Sequence, residues 1–153
     1  MREKNFYVPK NDVLDSDLSL IGSALYNGEG SPLILCIIAQ VIANRYGHKF
    51  KIVLHKGHHC LIDSNKILIE PAQNWKITPL KEGMKAHLCS EKNLILTLVS
   101  NLYLSSLVEG QLSNLQIFSS MMAKLSAMDL KDFPYPVGRA SSNILNMESN
   151  ETR

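Results

Sequence analysis

The first half of the chain carries two stretches whose apolar residues recur at the spacing of an α-helix. The first begins at Ser16, which we predict as its N-cap, and ends before Gly28 and Gly30. The second begins at Ser31-Pro32, a hydroxyl cap followed by proline at the first helical position, and runs to Gly47. Because this second stretch is apolar on most of its faces, we expect it to be the buried central helix of the fold.

The pattern changes from helical to alternating at residue 50. Phe50, Ile52 and Leu54 recur at every second position, as in a half-buried strand. Two further strands are predicted over 59–62 and 66–70, joined by turn residues that begin at Asp63. The segment 71–83 is rich in turn residues, and the pattern predicts no strand within it.

Helical spacing returns at Glu91 and breaks once, at Gly110, which predicts two helices joined by a short link as an antiparallel hairpin. After residue 136 the chain is polar and rich in Ser and Asn, which is typical of a flexible tail. The prediction is an α+β core over 1–90, a helical hairpin over 91–136 packed on it, and a tail over 137–153. The apolar positions of the hairpin are Leu94, Ile95, Leu98, Val99, Leu102 and Leu107, then Leu112, Leu115, Phe118, Met122 and Leu125.

Composition and charge narrow the classes of function. The chain has 153 residues, of which 45% are hydrophobic and 20% charged, as in a globular domain that can bury a core. The net charge of +2 indicates neither nucleic acid nor an anionic membrane as a partner. The longest apolar run, 32–43, is shorter than the roughly 20 residues that span a bilayer, and residues 1–10 are too polar for a secretory signal. Three cysteines, an odd number, favour reduced thiols and a cytoplasmic location.

Short motifs between residues 30 and 72 resemble those of a known superfamily. They are Gly30-Ser31-Pro32-Leu33 and Arg45-Tyr46-Gly47 at the two ends of the central helix, then Lys56-Gly57-His58-His59 and Ile69-Glu70-Pro71. The set resembles the transglutaminase-like superfamily, and within it the SirB-like branch, where helices similar to a tetratricopeptide unit follow the core. The resemblance implies a papain-like α+β core whose central helix packs on a small antiparallel sheet. The chain departs from the branch at Lys56, His59 and Glu70, where proline, an aromatic residue and aspartate are usual.

The resemblance also suggests a catalytic triad. Active members of the superfamily use a Cys-His-Asp triad whose cysteine lies at the start of the central helix, where the helix dipole lowers the thiol pKa. This chain offers Cys36, then His58 or His59, then Glu70, in the same order. In an amide hydrolase or acyl transferase, Cys36 would be the nucleophile, His58 the general base and Glu70 the group that orients the base.

Position along the helix argues against catalysis. Counting back from Gly47, the nucleophile of an active relative falls near Pro32, so Cys36 lies one turn deeper, among apolar residues. A thiol in such surroundings has a raised pKa and is inert, and cysteine is among the residues most often buried. The sequence therefore favours a non-catalytic protein-interaction or regulatory module, with the cysteine-dependent enzyme as the alternative.

The loop between the second and third predicted strands decides which histidine could meet the acid. A two-residue loop, Ser64-Asn65, would place His59 opposite Glu70. A three-residue loop that also includes Asp63 would place His58 there instead. The resemblance favours His58, and the residues themselves leave both pairings open.

The stretch 55–60 contains three histidines and a cysteine, which prompts a metal hypothesis. Adjacent strand residues such as His59 and Cys60 point to opposite faces, and no Cys-x-x-Cys spacing supplies further ligands. We therefore expect no metal site and no cofactor.

A basic cluster in the first predicted strand could meet a phosphate group. The cluster consists of Lys49, Lys51, His55 and Lys56. Lys49, Lys51 and His55 have the parity opposite to the apolar positions, however, so these three are expected to form the solvated face of that strand. For partners we expect a protein, or a second copy of the chain, at the helical hairpin, and neither nucleic acid nor a membrane.

Overall fold

A computed structural model describes residues 6–10, 14–81 and 83–126 of the chain. The chain divides into two compact units, with the boundary between Leu94 and Ile95. Over the described residues, four α-helices and a five-stranded antiparallel sheet are present, and the order ends in helices. The predicted α+β class is therefore confirmed. The predicted tail over 137–153 and the end of the predicted hairpin, 127–136, lie outside the described residues.

Two short helical segments precede the central helix in the first unit. A 3-10 turn, Ser16–Ser19, is followed by α1 (Ile21–Asn27), which ends at Gly28. The prediction of Ser16 as the N-cap is wrong, because the carboxylate of Asp15 accepts a hydrogen bond from the N–H of Asp17 and takes that role.

The central helix, α2 (Pro32–Arg45), begins where its sequence predicts. The hydroxyl of Ser31 accepts a hydrogen bond from the N–H of Ile34, and Pro32 is the first helical residue. The helix starts close to α1, because Gly30 has no side chain. A Cβ at this position would lie 3.1 Å from Cδ2 of Leu35 and 3.2 Å from Cβ of Ala24. Glycine therefore permits the close approach of the two helices.

The sheet has the strand order β4-β3-β2-β1-β5, and every neighbouring pair is antiparallel. The three predicted strands are present with ends shifted by one residue, whereas β4 lies in the segment 71–83, where the pattern predicts none. The strands are β1 (Lys51–His55), β2 (His58–Ile62), β3 (Ile67–Glu70), β4 (Lys76–Pro79) and β5 (His87–Leu88).

Both faces of the sheet are covered. One face packs on α2, where Leu35, Cys36 and Ala39 meet Ile52, Leu61 and Trp75, and the indole Nε1–H of Trp75 donates to the carbonyl of Phe6 at 2.5 Å. The other face forms a second cluster of Val53, Cys60 and Leu68 with Leu80 and Ala86. The prediction of a solvated face containing His55 is therefore wrong: Lys51 is exposed, but His55 is buried on the face that Leu80 and Ala86 cover, with Nδ1 against the carbonyl of Lys85.

The second unit contains most of α3 (Glu91–Val108) and all of α4 (Leu112–Ser126), with the predicted break at Gly110. The hydroxyl of Ser100 donates to Sδ of Met122 at 3.4 Å, so the two helices meet as a hairpin. Val99 and Leu115 are buried, whereas Ile95, Leu107 and Leu112 are exposed. Several buried positions are instead held by small residues, namely Ser105, Ser106, Ser119 and Ala123.

Within the described ranges, no helix is long and apolar enough to cross a membrane.

Candidate functional site

Cys36, the predicted nucleophile of the enzyme alternative, lies inside the core. It sits on α2 among Leu35, Ile52 and Trp75, and its exposed fraction is 0%. Burial raises the pKa of the Cys36 thiol far above its ordinary value, because the thiolate would lose its hydration. The prediction that Cys36 is a core residue is therefore confirmed. Its thiolate, the form that a nucleophile needs, is strongly disfavoured at this position.

The two partners proposed for Cys36 lie on the opposite face of the sheet. Successive strand residues point to opposite faces, and Leu61 and Ile69 pack on the α2 side. His58 lies three residues before Leu61 in β2 and therefore faces away from α2. Glu70 follows Ile69 directly in β3 and faces away from α2 as well. The sheet itself separates Cys36 from both of them. Of the two candidate histidines, only His59 shares the α2 side.

The pairing of β2 with β3 differs from both predicted registers. Leu61 lies opposite Ile69 and Ile62 opposite Leu68, so continuing the register places Cys60 opposite Glu70. Neither His58 nor His59 faces Glu70, and the two predicted pairings are wrong.

The cause of this register lies in the loop itself. The carboxylate of Asp63 accepts hydrogen bonds from the N–H groups of Asn65 and Ile67, at 2.9 and 2.7 Å. Lys66 adopts a left-handed φ of 60°, and the N–H of Asp63 donates to the carbonyl of Ile67 at 3.1 Å. The loop is therefore Ser64-Asn65-Lys66, because the aspartate closes the turn one residue later than predicted.

Glu70 is a buried carboxylate with its own partner. Its exposed fraction is 8%, and its Oε1 accepts a hydrogen bond from the hydroxyl of Thr78 at 2.9 Å. Burial, together with the negative charge of Glu70, raises the pKa of the neighbouring Cys60 thiol to about 11. Cys60 is thus a neutral thiol at physiological pH, and Glu70 acts on this cysteine rather than on a histidine.

The three histidines of the stretch 55–60 have three different surroundings. His58 is exposed at the start of β2, whereas His55, its cross-strand neighbour, is buried with Nδ1 2.9 Å from the carbonyl oxygen of Lys85. Since a carbonyl only accepts, Nδ1 of His55 carries the proton. The pKa of the half-buried His59 is lowered by burial and, to a smaller extent, by the charge of His58. Within the described part of the chain, no three His, Cys, Asp or Glu side chains are arranged to hold a metal ion.

A cavity of about 400 Å³ opens on the sheet face that points away from α2. Glu70 and Thr78 line it together with Lys56, Lys76 and Lys81. Sequence reasoning missed this cavity because it did not predict β4, which carries Lys76 and Thr78. The alternation of Lys76 and Thr78 with Ile77 and Pro79 is the signal that could have identified the strand.

The turn between β1 and β2 excludes proline at residue 56. Lys56 and Gly57 form a two-residue turn between His55 and His58, with φ values of 50° and 82°. Two positive φ values define the tight hairpin turn whose twist matches the strands. Proline is held at a φ near −65° and cannot occupy the first position of this turn.

Comparison with protein-family models, with curated proteins and with solved structures finds no match to this chain. The resemblance to the transglutaminase-like superfamily therefore rests on the short motifs quoted above.

Proposed function

We propose that this chain is a non-catalytic, transglutaminase-like domain that acts as a protein-interaction module through its helical hairpin. The observation that carries the non-catalytic part is the position of Cys36. A cysteine nucleophile must be reached by its substrate and by its general base. Cys36 is fully buried on one side of the sheet, and His58 and Glu70 lie on the other. No observation favours the alternative of an amide hydrolase or acyl transferase.

The surface of the hairpin supports the interaction part of the proposal. Between residues 95 and 126 the only charged side chains are Glu109 and Lys124. Val108 and Leu112, which flank the link between the helices, have exposed fractions of 67% and 77%. An exposed apolar surface with so little charge is typical of a surface that binds another protein. Its other members are Ile95, Leu104, Leu107, Ile117 and Met121.

The occupant that we propose for this surface is a second copy of the same hairpin. Glu109 and Lys124 have opposite signs, so two copies can meet without bringing net charge into the interface. Most homo-oligomers are two-fold symmetric, and in such a dimer each hairpin would present the same apolar patch to the other. Four helices would then share one apolar core.

The test measures the molar mass of the full-length protein in solution by light scattering, over a wide range of protein concentrations. We expect a concentration-dependent dimer for the natural chain and a monomer for the double variant Val108→Lys, Leu112→Lys. The matched control is Ile77→Lys, an equally apolar and exposed side chain on β4, which should leave the dimer intact. A natural chain that is monomeric at every concentration would exclude self-association, and a dimer that survives in the double variant would exclude this surface.

A further inference from the structure

The positive charge of the chain is concentrated in its sheet. Residues 45–85 contain eight Lys and Arg residues against three Asp and Glu residues, so this segment has a net charge of +5 (8 − 3), although the whole chain has only +2. Both flanking parts of the chain are therefore slightly acidic. A charge asymmetry of this size indicates an anionic ligand more clearly than the total charge does.

Three of these lysines surround the cavity on the outer face of the sheet. Lys56 comes from the β1–β2 turn, Lys76 from β4, and Lys81 from the segment that covers this face. All three are exposed, and none of them has an ion-pair partner among the described residues. Lys76 lies directly opposite Glu70 in the β3–β4 pairing, yet the carboxylate accepts its hydrogen bond from the Thr78 hydroxyl. The lysine charges are therefore available to a ligand.

The floor of the cavity has a different chemistry from its rim. Glu70 is nearly buried, and only its Oε1 is occupied by Thr78. A carboxylate accepts several hydrogen bonds, so its remaining positions can receive a hydroxyl group of a ligand. The side chains of Pro79 and Met84 add apolar surface to the wall. A cationic rim above a floor that accepts hydrogen bonds is expected to select a ligand with both an anionic group and hydroxyl groups.

We propose that this cavity is a binding site for a small phosphate monoester that carries hydroxyl groups, such as a sugar phosphate. Among the residues that the structure describes, the charged side chains that line the cavity sum to +2, from three lysines and one glutamate (3 − 1). A phosphate monoester carries about −1.5 to −2 at pH 7 and presents three acceptor oxygens, which matches both the charge and the number of ammonium groups. The volume of about 400 Å³ lies in the range of small-molecule sites.

The test uses the full-length protein and two probes, glucose 6-phosphate and inorganic phosphate, titrated by calorimetry and by amide NMR spectroscopy. We expect glucose 6-phosphate to bind more tightly than phosphate and to shift the amide signals of Lys56, Thr78 and Met84. The triple variant Lys56→Gln, Lys76→Gln, Lys81→Gln should weaken the binding of both probes by about tenfold or more.

The matched control is the triple variant Lys49→Gln, Lys51→Gln, Lys92→Gln, which lowers the net charge equally, from +2 to −1, but leaves the cavity unchanged. It should change the affinity less than twofold. Equal weakening by both triple variants would assign the binding to diffuse surface charge and overturn the proposal. Absence of binding of both probes to the natural chain would overturn it directly.

A further variant tests the role of the floor. Glu70→Gln keeps an acceptor for Thr78 and removes the charge, so the preference for glucose 6-phosphate over inorganic phosphate should fall towards one. An unchanged preference would show that the hydroxyl groups do not reach Glu70.

Co-sedimentation with phosphatidylcholine vesicles, with and without phosphatidic acid, distinguishes the source of the phosphate. Sedimentation that requires phosphatidic acid and the three cavity lysines would assign the site to a lipid headgroup and overturn the assignment to a free ligand.

Discussion

Glu70 and Cys60 lie opposite each other on adjacent strands, on the sheet face that points away from α2. Because both side chains are buried, the charge of the carboxylate acts on the thiol through a medium of low polarity and, together with burial, raises the pKa of the thiol. This pair takes the place of the His–Glu pair that a catalytic triad would require.

Replacing Glu70 by glutamine should lower the pKa of the Cys60 thiol from about 11, because one of the two causes that raise it is removed. Burial remains, so the pKa should stay above that of an exposed cysteine. The pKa is measured from the pH dependence of the Cβ chemical shift of Cys60. Glu91→Gln, at the exposed start of α3, is the control and should leave the pKa unchanged. An equal shift in both variants would contradict a direct effect of Glu70.

The same pair predicts how stability changes at alkaline pH. The folded state holds the Cys60 proton more tightly than the unfolded state does, so the protonated thiol stabilises the fold. This contribution to the free energy of unfolding is complete below pH 9.0 and is lost progressively as the pH rises to about 11. Denaturant unfolding of the natural chain and of Cys60→Ala across this range measures the difference. Identical pH slopes for the two proteins would show that Cys60 does not contribute.

The buried position of Cys36 predicts that it resists alkylation in the native protein. The partly exposed Cys89 should react first with iodoacetamide, and Cys36 should react only when the protein unfolds. Cys36→Ala should cost roughly 1 kcal/mol of stability, because it leaves a small cavity in the core, and should leave the dimer intact. Rapid native labelling of Cys36 that is slowed by His58→Ala would instead support the enzyme alternative. Mass spectrometry of each cysteine peptide measures the order.

The hairpin turn at Lys56 predicts opposite effects for two substitutions. Lys56→Pro should destabilise the protein by about 3 kcal/mol or more, because the ring cannot adopt the positive φ of this turn. Lys56→Gly should stabilise it by roughly 1 kcal/mol, since glycine adopts that φ without strain. Lys51→Gly, at the first position of β1, is the control and should destabilise instead, because glycine loses more backbone freedom on folding. Thermal unfolding of the three variants compares them, and a neutral Lys56→Pro would contradict the turn geometry.

Two glycines of the α1 region form a matched pair for a test of helix packing. Gly30→Ala should destabilise the protein by about 1–3 kcal/mol, because the new Cβ would meet Leu35 and Ala24 at 3.1 and 3.2 Å. Gly22→Ala lies within α1 with nothing near its Cβ, and it should stabilise the protein by roughly 0.5–1 kcal/mol. Chemical denaturation measures both free energies of unfolding. Equal effects at the two positions would contradict the close approach at Gly30.

The α+β class and the start of the central helix could be predicted because their causes are local. The cap of α2 joins Ser31 to an N–H only three residues away, and Pro32 restricts its own φ. The burial of Cys36 follows from the apolar residues on every side of it in the same helix. Such features depend on neighbours in the chain, which the sequence displays directly.

The candidate sites were less predictable because they depend on residues that are distant in the chain. A hydrogen-bonded loop at Asp63 shifts the β2–β3 register by one or two residues from the predicted pairings, and this shift brings Cys60 rather than a histidine to Glu70. The cover of the second sheet face by Leu80, Lys85 and Ala86 buries His55, which the alternation in β1 assigns to solvent. The sequence by itself determined the helices, the strands β1 to β3 and the burial of Cys36. Only the tertiary structure decided which side chains share a face of the sheet, since pairing register and coverage arise from contacts between segments far apart in the chain.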